Sequence, residues 1–563
     1  MIDTSAVNRE KIMFSGLGWI VVNTTRHSKL QPLRLAITSL LITFIVSACN
    51  SSGNSPVSNV STGPATTTYT AGVFAPSANY ANLCAKPRTG IDPSTNKAYL
   101  DRTGTATLEN FWLRSWTHEL YLWYKEAPDL NPNNYTDPVK DYFPLLKTSA
   151  KTASGNDKDK FHFTWDTAQW NSFSGSGQSA GYGAEFAVIN GSPPRLVVIA
   201  YIDPNTPAAT AGLSRGQKLI TVDGVDVTNG SDVTTLNNGT FPSGTGQNHT
   251  FVLLELDGVT QRTVTLTSAN VTSTPVQRVG VISGTNGQVG YMQFNDHIAP
   301  AEQQFITAVN TLKTANITDL VLDLRYNGGG LLDLASEIGY MIAGSSRTSG
   351  KVFEKATFND QYSSTINPVT SGSNPPTPFL NTAQGFSATA GTALPTLNLS
   401  RIFILTGPGT CSASEAVINS LRGVNVQVIQ VGSTTCGKPY GFYPQDNCGT
   451  TYFSIELKGT NDAGFGDYTD GFSPANSTLA NSGVSVPGCS IADDFTHQLG
   501  DPFEGRLAAA LFYRTNNTCP AGGPTGTSSR AQIQSVNTET VDLSNVDGHL
   551  FKHPWRENRI MRK

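Results

Sequence analysis

Asp319-Leu320-Val321-Leu322-Asp323-Leu324-Arg325-Tyr326-Asn327-Gly328-Gly329-Gly330 is the stretch that decides the fold of this 563-residue chain. Leu320, Val321, Leu322 and Leu324 make a near-continuous apolar run. Such a run reads as a strand buried on both faces, of the kind found in parallel sheets covered by helices. The glycines close it with backbone that other groups can approach closely. Periodicity then predicts a helix over Leu331–Ala343. The same alternation extends outward. Val289–Phe294 reads as a strand and Ala301–Ala315 as an amphipathic helix. Arg401–Thr406 reads as another buried strand, Ser414–Arg422 as the helix after it, and Val426–Val431 as a further β step. Strands alternating with helices specify an α/β layer. Lys351–Asn398, polar and rich in Pro and Gly, interrupts this repeat and reads as an insertion. Asp501–Tyr513 reads as the last helix.

Two turns of this layer carry candidate chemistry. Ser412 lies in Gly409-Thr410-Cys411-Ser412-Ala413-Ser414-Glu415, between a strand and a helix. Lys438 lies in Thr435-Cys436-Gly437-Lys438-Pro439-Tyr440-Gly441. A neutral serine is a poor nucleophile and needs a base. A lysine serves only if it is unprotonated, which burial favours. A drop of about three pKa units corresponds to roughly 4 kcal/mol of differential desolvation. Lys438 is expected on a strand beneath the site, buried beside Cys436-Gly437 and Pro439. Acyl transfer also needs donors aimed at the developing oxyanion. Ala413 opens a helix, where N–H groups are unpaired and the dipole is positive. Gly328 and Gly329 end the neighbouring strand, and parallel strand ends share one crevice. Ser414 competes with Ser412 and reads as a capping or packing residue. His118 and His297 lack the surroundings of a Ser-His-Asp arrangement, and Asp323 and Arg325 read as setting the geometry of the sheet end.

The formal net charge is −4 with 14% charged residues and no basic block, which argues against nucleic acid as a partner. The 53 glycines and 31 prolines point to strands, turns and exposed linkers. Leu35–Val46 is uncharged and mostly apolar, with Arg26, Lys29 and Arg34 before it. It is shorter than the about 20 residues a spanning helix needs and reads as a secretory signal. Val46-Ser47-Ala48-Cys49 resembles a bacterial lipobox, which implies cleavage before Cys49 and its lipidation. An ordinary signal with a chance cysteine is the alternative, and either Met1 or Met13 can be the start. Asn50–Ala78 reads as a flexible tether. Leu108–Tyr124 reads as a buried aromatic helix and Asp137–Thr148 as a second one. The remaining cysteines, Cys84, Cys411, Cys436, Cys448, Cys489 and Cys519, are even in number and favour disulfides. Cys411–Cys436 is the leading pair, because it would pin two active-site segments together and make activity redox-sensitive. Cys448–Cys489 with Cys436 free is the alternative, and Cys84–Cys519 is a further pairing. No Cys-x-x-Cys or His-rich cluster appears, so neither metal nor cofactor is expected.

Ser172–Gly183 is Gly/Ser-rich and reads as a domain boundary. Short strands with turn signals follow. Tyr182-Gly183-Ala184-Glu185-Phe186, Pro207-Ala208-Ala209 with Ala211-Gly212-Leu213 and Gly216, and Val222-Asp223-Gly224 resemble a PDZ domain. The resemblance implies capture of extended peptides by strand addition, with the C-terminal carboxylate held at the loop Gly181, Tyr182, Gly183, Ala184, Glu185 and Phe186. A small β-domain that only packs is the alternative.

Asp323–Gly330, Ser412-Ala413-Ser414-Glu415 and Gly432-Ser433-Thr434-Thr435-Cys436-Gly437-Lys438 resemble the S41 peptidases, the tail-specific or C-terminal processing proteases. The resemblance runs roughly from Leu108 to Tyr513 and includes Leu499-Gly500-Asp501-Pro502. It implies Ser412 as nucleophile, Lys438 as general base and Glu415 as a supporting residue. Pro439 and Phe442 depart from the pattern, which leaves the third partner open. Glu415 also has a plainer reading, as a first-turn acid favoured by the helix dipole. The expected fold class is multidomain α+β: an N-terminal helical unit, a PDZ-like β-domain and an α/β, ClpP/crotonase-like β-α-β serine protease domain. The expected organisation is a signal peptide with lipobox over 1–48, a flexible linker over 49–80, a helical domain over 81–172, a PDZ-like domain over 173–272, a protease domain over 273–518 and a tail over 519–563. The expected function is a bacterial cell-envelope serine endopeptidase, lipid-anchored at Cys49 and facing the periplasm or exterior. Its partners would be polypeptides with free C-termini. A non-catalytic peptide-binding scaffold and a small-molecule carrier or hydrolase on the same fold are the alternatives.

Overall fold

The computed structural model describes residues 67–284, 286–478 and 483–521, and the backbone of 549–550 and 559–560. All lie in the second of the two units into which the chain divides, Thr62–Lys563. The expected signal, the lipobox and Cys49 fall outside the described residues.

Residues 67–80 differ from a tether. Tyr80 is buried, the Tyr69 hydroxyl donates to Asp129 O, and Arg114 donates to Thr70 O and Val73 O. Tyr69, Phe74 and Tyr80 give this stretch apolar surface to bury, which outweighs its polar composition. Helix α1 (Ala106–Leu120) is capped by Thr105, whose side chain accepts from Leu108 N. It ends before the expected Tyr124 because the chain turns away and Leu122 N donates to Ile455 O. The expected helix over 137–148 is instead a π-helical turn, Pro138–Tyr142, followed by a 3-10 turn, Phe143–Leu145. Pro144 has no N–H to give and crowds the preceding turn, so an α-helix does not run through it. Helix α2 (Thr167–Ser176) stops at Gly177, which has φ +70°. The positions expected as a boundary, 172–173, thus lie inside a helix.

The β-rich part contains β1 (Ala184–Asn190), β2 (Leu196–Ile202), β3 (Lys218–Val222), helix α3 (Val233–Thr240), β4 (Asn248–Leu254) and β5 (Gln261–Thr267). The strands pair antiparallel in the order β5-β4-β3-β2-β1. Phe186, Ile199, Leu219, Phe251 and Leu253 form its core. The outer side of β1 is taken by His549–Leu550, antiparallel, with His549 opposite Val188 and Leu550 opposite Ala187.

The central layer contains β6 (Val276–Ile282), β7 (Val289–Phe294), α4 (Ala301–Thr314), β8 (Asp319–Asp323), α5 (Leu332–Ala343), β9 (Arg401–Thr406), α6 (Ala413–Gly423), β10 (Gln427–Gly432), β11 (Gly488–Ser490) and α7 (Gly505–Asn516). The six strands lie in chain order; only β6 and β7 pair antiparallel. Every residue of β7 and β8 is buried. Leu320, Leu322 and Ile404 face α4, α5 and α6, while Val321, Phe403 and Ile429 face α7. This two-sided burial explains the unbroken apolar run of β8. The segment expected as a polar insertion also contributes structure: Val352–Phe358 pairs antiparallel with Leu457–Thr460, and Phe353 and Phe379 are buried in the main core.

A buried ion network joins the two β layers. Arg325 donates to Asp323, Asp493 and Glu504. Arg215, from the β-rich part, donates to the same Asp493 oxygen and to the Tyr326 hydroxyl. Removing one member would strand a buried charge, at a cost of about 3–5 kcal/mol.

A buried acid pair, Glu302 and Glu337, makes stability depend on pH. Glu302 accepts from the N–H groups of Gln384, Gly385, Ser387 and Ala388. Burial and the Glu302 charge push the Glu337 carboxyl up to about 9. The folded chain therefore keeps a proton that the unfolded chain releases near the ordinary value of 4.5, and stability falls as pH rises from there toward about 9. Glu337→Gln is expected to flatten the decline of Tm across this window and to raise Tm at its alkaline end. An unaltered slope in thermal melts would contradict this.

Candidate active site

Ser412 occupies the turn between β9 and α6, with φ +59° and ψ −111°. Such backbone costs a non-glycine residue about 1–3 kcal/mol and survives only where neighbours impose it. They do so here. Thr410 Oγ1 donates to Leu324 O and accepts from Gly407 N. Cys411 N and Ser414 Oγ both donate to Asn327 O at 3.1 Å. The turn bearing Ser412 is thus bonded to the loop that follows β8, and Ser414 serves that bond.

Glu415, in the first turn of α6, is fully buried. Its Oε2 accepts from Ser412 N at 2.9 Å and from Lys438 N at 2.8 Å. Its Oε1 accepts from Gly437 N at 2.9 Å and from Thr435 Oγ1 at 2.5 Å. One oxygen therefore holds the backbone of both candidate residues. Burial pushes the Glu415 carboxyl above its ordinary value, with these donors opposing. The Cys411–Cys436 disulfide joins the same two segments, with a Cα–Cα distance of 5.1 Å.

Lys438 is fully buried. It stands on a loop just before the short strand Tyr440–Gly441, not on the strand expected. Its Nζ lies 4.4 Å from the centre of the Phe442 ring and 4.7 Å from that of Phe161. Phe442, a departure from the family pattern, is thus a wall of the lysine pocket. Lys160 Nζ donates to Cys436 O at 2.9 Å, fastening the same loop from outside.

The expected oxyanion donors divide. Gly329 N already donates to Asn327 Oδ1 at 2.9 Å, so its N–H is engaged. Gly328 and Ala413 remain, the latter as the first residue of α6, whose N–H lies outside the intrahelical ladder. Asn327 is the residue that sequence reasoning missed. Its Nδ2 donates to Phe294 O, its Oδ1 is shared with His297 Nδ1 at 3.0 Å, and its carbonyl holds the Ser412 turn. Only its place before the glycines hinted at this. Burial holds His297 down to about 3, so the ring is neutral and structural. His118 stacks on Phe74.

The Gly181–Phe186 loop lies in the β-rich part. The Tyr182 hydroxyl donates to Gly239 O beside α3. Gly183 has φ +75°, and a Cβ there would meet the Thr206 side chain at 2.4 Å. Gly181, Tyr182, Gly183, Ala184 and Glu185 border a cavity of about 610 Å³. Phe186 lies behind them, in a separate apolar groove against α3.

The other cysteines pair as Cys84–Cys448 and Cys489–Cys519, which corrects both the Cys84–Cys519 and the Cys448–Cys489 expectations. Asn82 N donates to Asn447 Oδ1, placing Cys84 beside Cys448. Cys519 follows α7, which packs against β11 and so against Cys489. Cys411, Glu415 and Cys436 are the one group with metal-like spacing among the described residues, and its two sulfurs are bonded to each other.

Residues 288–442 match the profile described as Peptidase family S41. This segment belongs to the S41 peptidases. It runs from the start of β7 to Phe442 and so contains Asn327, Ser412, Glu415 and Lys438. A carboxyl-terminal-processing protease of Picosynechococcus sp. (strain ATCC 27264 / PCC 7002 / PR-6) is 27% identical over 264 residues, 47% of this chain and 55% of that protein. A chloroplastic C-terminal processing peptidase of Tetradesmus obliquus is 30% identical over 178 residues, 30% of this chain and 38% of the relative. The chain thus spans about half the length of the first curated relative, and less of the second. A crystal structure assigned to S41 proteases, from Bacteroides fragilis NCTC 9343, shares the fold of this chain with a TM-score of 0.53 at 21% identity, covering 72% of this chain and 97% of that one.

Peptide mapping under non-reducing conditions is expected to recover Cys84–Cys448, Cys411–Cys436 and Cys489–Cys519 and no other pairs. A free thiol at Cys411 or Cys436 would break the geometry described for the Ser412 and Lys438 loops.

Proposed function

We propose that the chain is a serine endopeptidase in which Ser412 attacks the scissile carbonyl and Lys438 is the general base. The observation that carries this reading is the single Glu415 oxygen accepting from both Ser412 N and Lys438 N. It sets the two residues side by side at the carboxyl ends of adjacent parallel strands. Burial away from water favours a neutral amine, the form a base requires, while the Phe161 and Phe442 ring faces pull the other way, toward the cation. In the reading, Ser412 Oγ forms the acyl bond while its proton passes to Lys438 Nζ. That proton then goes to the departing amine, and water, deprotonated by the same lysine, releases the acyl group and restores the serine. The Gly328 and Ala413 N–H groups would hold the oxyanion. Glu415 acts through the backbone of its neighbours and positions them.

In the same reading the β-rich part is a PDZ-like domain, and β1 with the Gly181–Phe186 loop captures polypeptide C-termini. The central layer is the ClpP/crotonase-like protease domain. The signal and lipidated Cys49 would place the enzyme at the cell envelope. No helix among the described residues is long and apolar enough to cross a membrane.

Cleavage of a panel of peptides with varied C-termini tests the reading. Ser412→Ala and Lys438→Ala are each expected to lower kcat by roughly 10⁴-fold with Tm retained. Glu415→Gln places an NH₂ against N–H donors and is expected to lower kcat by about 10²-fold through misplacement. Undiminished turnover by Lys438→Ala would reject the mechanism. Undiminished peptide binding without turnover by any form would favour the scaffold alternative.

A further inference from the structure

Two surfaces proposed to receive substrate each take up a strand from the same distant part of the chain. His549–Leu550 pairs antiparallel with β1. Arg559–Ile560 pairs parallel with Gly330–Leu331, Arg559 opposite Gly330 and Ile560 opposite Leu331, and lies against Tyr440–Gly441. Gly330 follows Gly328 by two positions, and Tyr440 follows Lys438 by two. The second pairing therefore spans the cleft from the loop of the oxyanion donor to the loop of the base. Ser412 and Lys438 have no exposed surface in this arrangement. The first pairing fills the open side of β1. There Phe186 and Val188 form an apolar groove of about 200 Å³ with Leu236 and Phe241. An open strand edge beside an apolar groove is where an extended peptide adds. Leu550 and Arg559 are nine positions apart, a reach of up to roughly 30 Å for extended chain.

We propose that His549–Leu550 and Arg559–Ile560 are two strands of a tethered competitor of substrate, holding the β1 groove and the Ser412 cleft until an incoming polypeptide displaces them. This rests on the peptidase reading above. Both contacts are backbone pairings, so what they accept is an extended strand and not one side-chain sequence. The competitor marks the substrate's path as well: addition along β1, then passage between Gly330–Leu331 and Tyr440–Gly441. A tether gives such an occupant an effective concentration on the order of millimolar, so two short pairings suffice to compete with dilute substrate.

The test uses the full chain carrying Leu550→Pro and Ile560→Pro together, because proline has no N–H and does not fit either pairing. Hydrogen exchange is read in a Ser412→Ala background, and kinetics on a reporter peptide with Ser412 intact. The expected results are exchange at Ala184–Asn190 and Gly330–Leu331 faster by about tenfold, and a KM lower by about tenfold with kcat kept. Unchanged exchange at unchanged Tm overturns the proposal whatever the kinetics. Faster exchange with an unchanged KM overturns competition. Faster exchange in a chain that cleaves no peptide in either form removes the peptidase reading and leaves the two strand pairings standing, which separates that failure from the failure of the pairings themselves.

Discussion

The geometry of the site hangs on where the donors around one buried carboxylate can be. Glu415 has no access to water, so each of its oxygens must be met by protein groups. The donors come from the Ser412 turn and from the Thr435–Lys438 loop. Separating those segments would leave several buried polar groups unsatisfied, at about 1–3 kcal/mol each. The carboxylate therefore sets the spacing of the two loops. The strained backbone of Ser412 is tolerated because the loop after β8 grips its flanks through Asn327 and Leu324.

That grip depends in turn on the sheet end. Asp323 closes β8, and Arg325, two residues on, is neutralised by Asp323, Asp493 and Glu504. Arg215 reaches the same Asp493 from the β-rich part. The loop that shapes the cleft and the segment that follows β2 thus share one set of buried charges. A distortion of either is felt by the other through groups that cannot be rehydrated cheaply.

The central layer was legible because its strands are buried on both faces, and Leu320, Val321, Leu322 and Leu324 announce that by leaving no polar face between them. Ser412 and Lys438 stood out for chemical reasons, and their backbone N–H groups meet on one Glu415 oxygen. What escaped is what tertiary contact decides. Helix α3 is written in Val, Thr, Asn and Gly, poor helix formers. It forms because Asp232 accepts from Thr235 N and Leu236 is buried. The stretch 137–148 has helical periodicity, but Pro144 breaks the ladder. Residues 67–80 look like linker, yet three aromatics find a surface. The engagement of Gly329 by Asn327 is a hydrogen bond between near neighbours, for which the sequence has no periodic sign. The partner of Cys84 lies 364 positions away, a distance over which local patterning says nothing.

The disulfides also decide which injuries the molecule survives in one piece. Cys84–Cys448 closes a loop around most of the chain, with Cys411–Cys436 nested inside it, and Cys489–Cys519 closes a second. A single nick within either loop leaves both halves bound covalently. Beyond Cys519 no such insurance exists: one scission there frees everything downstream, and every crosslink stays whole.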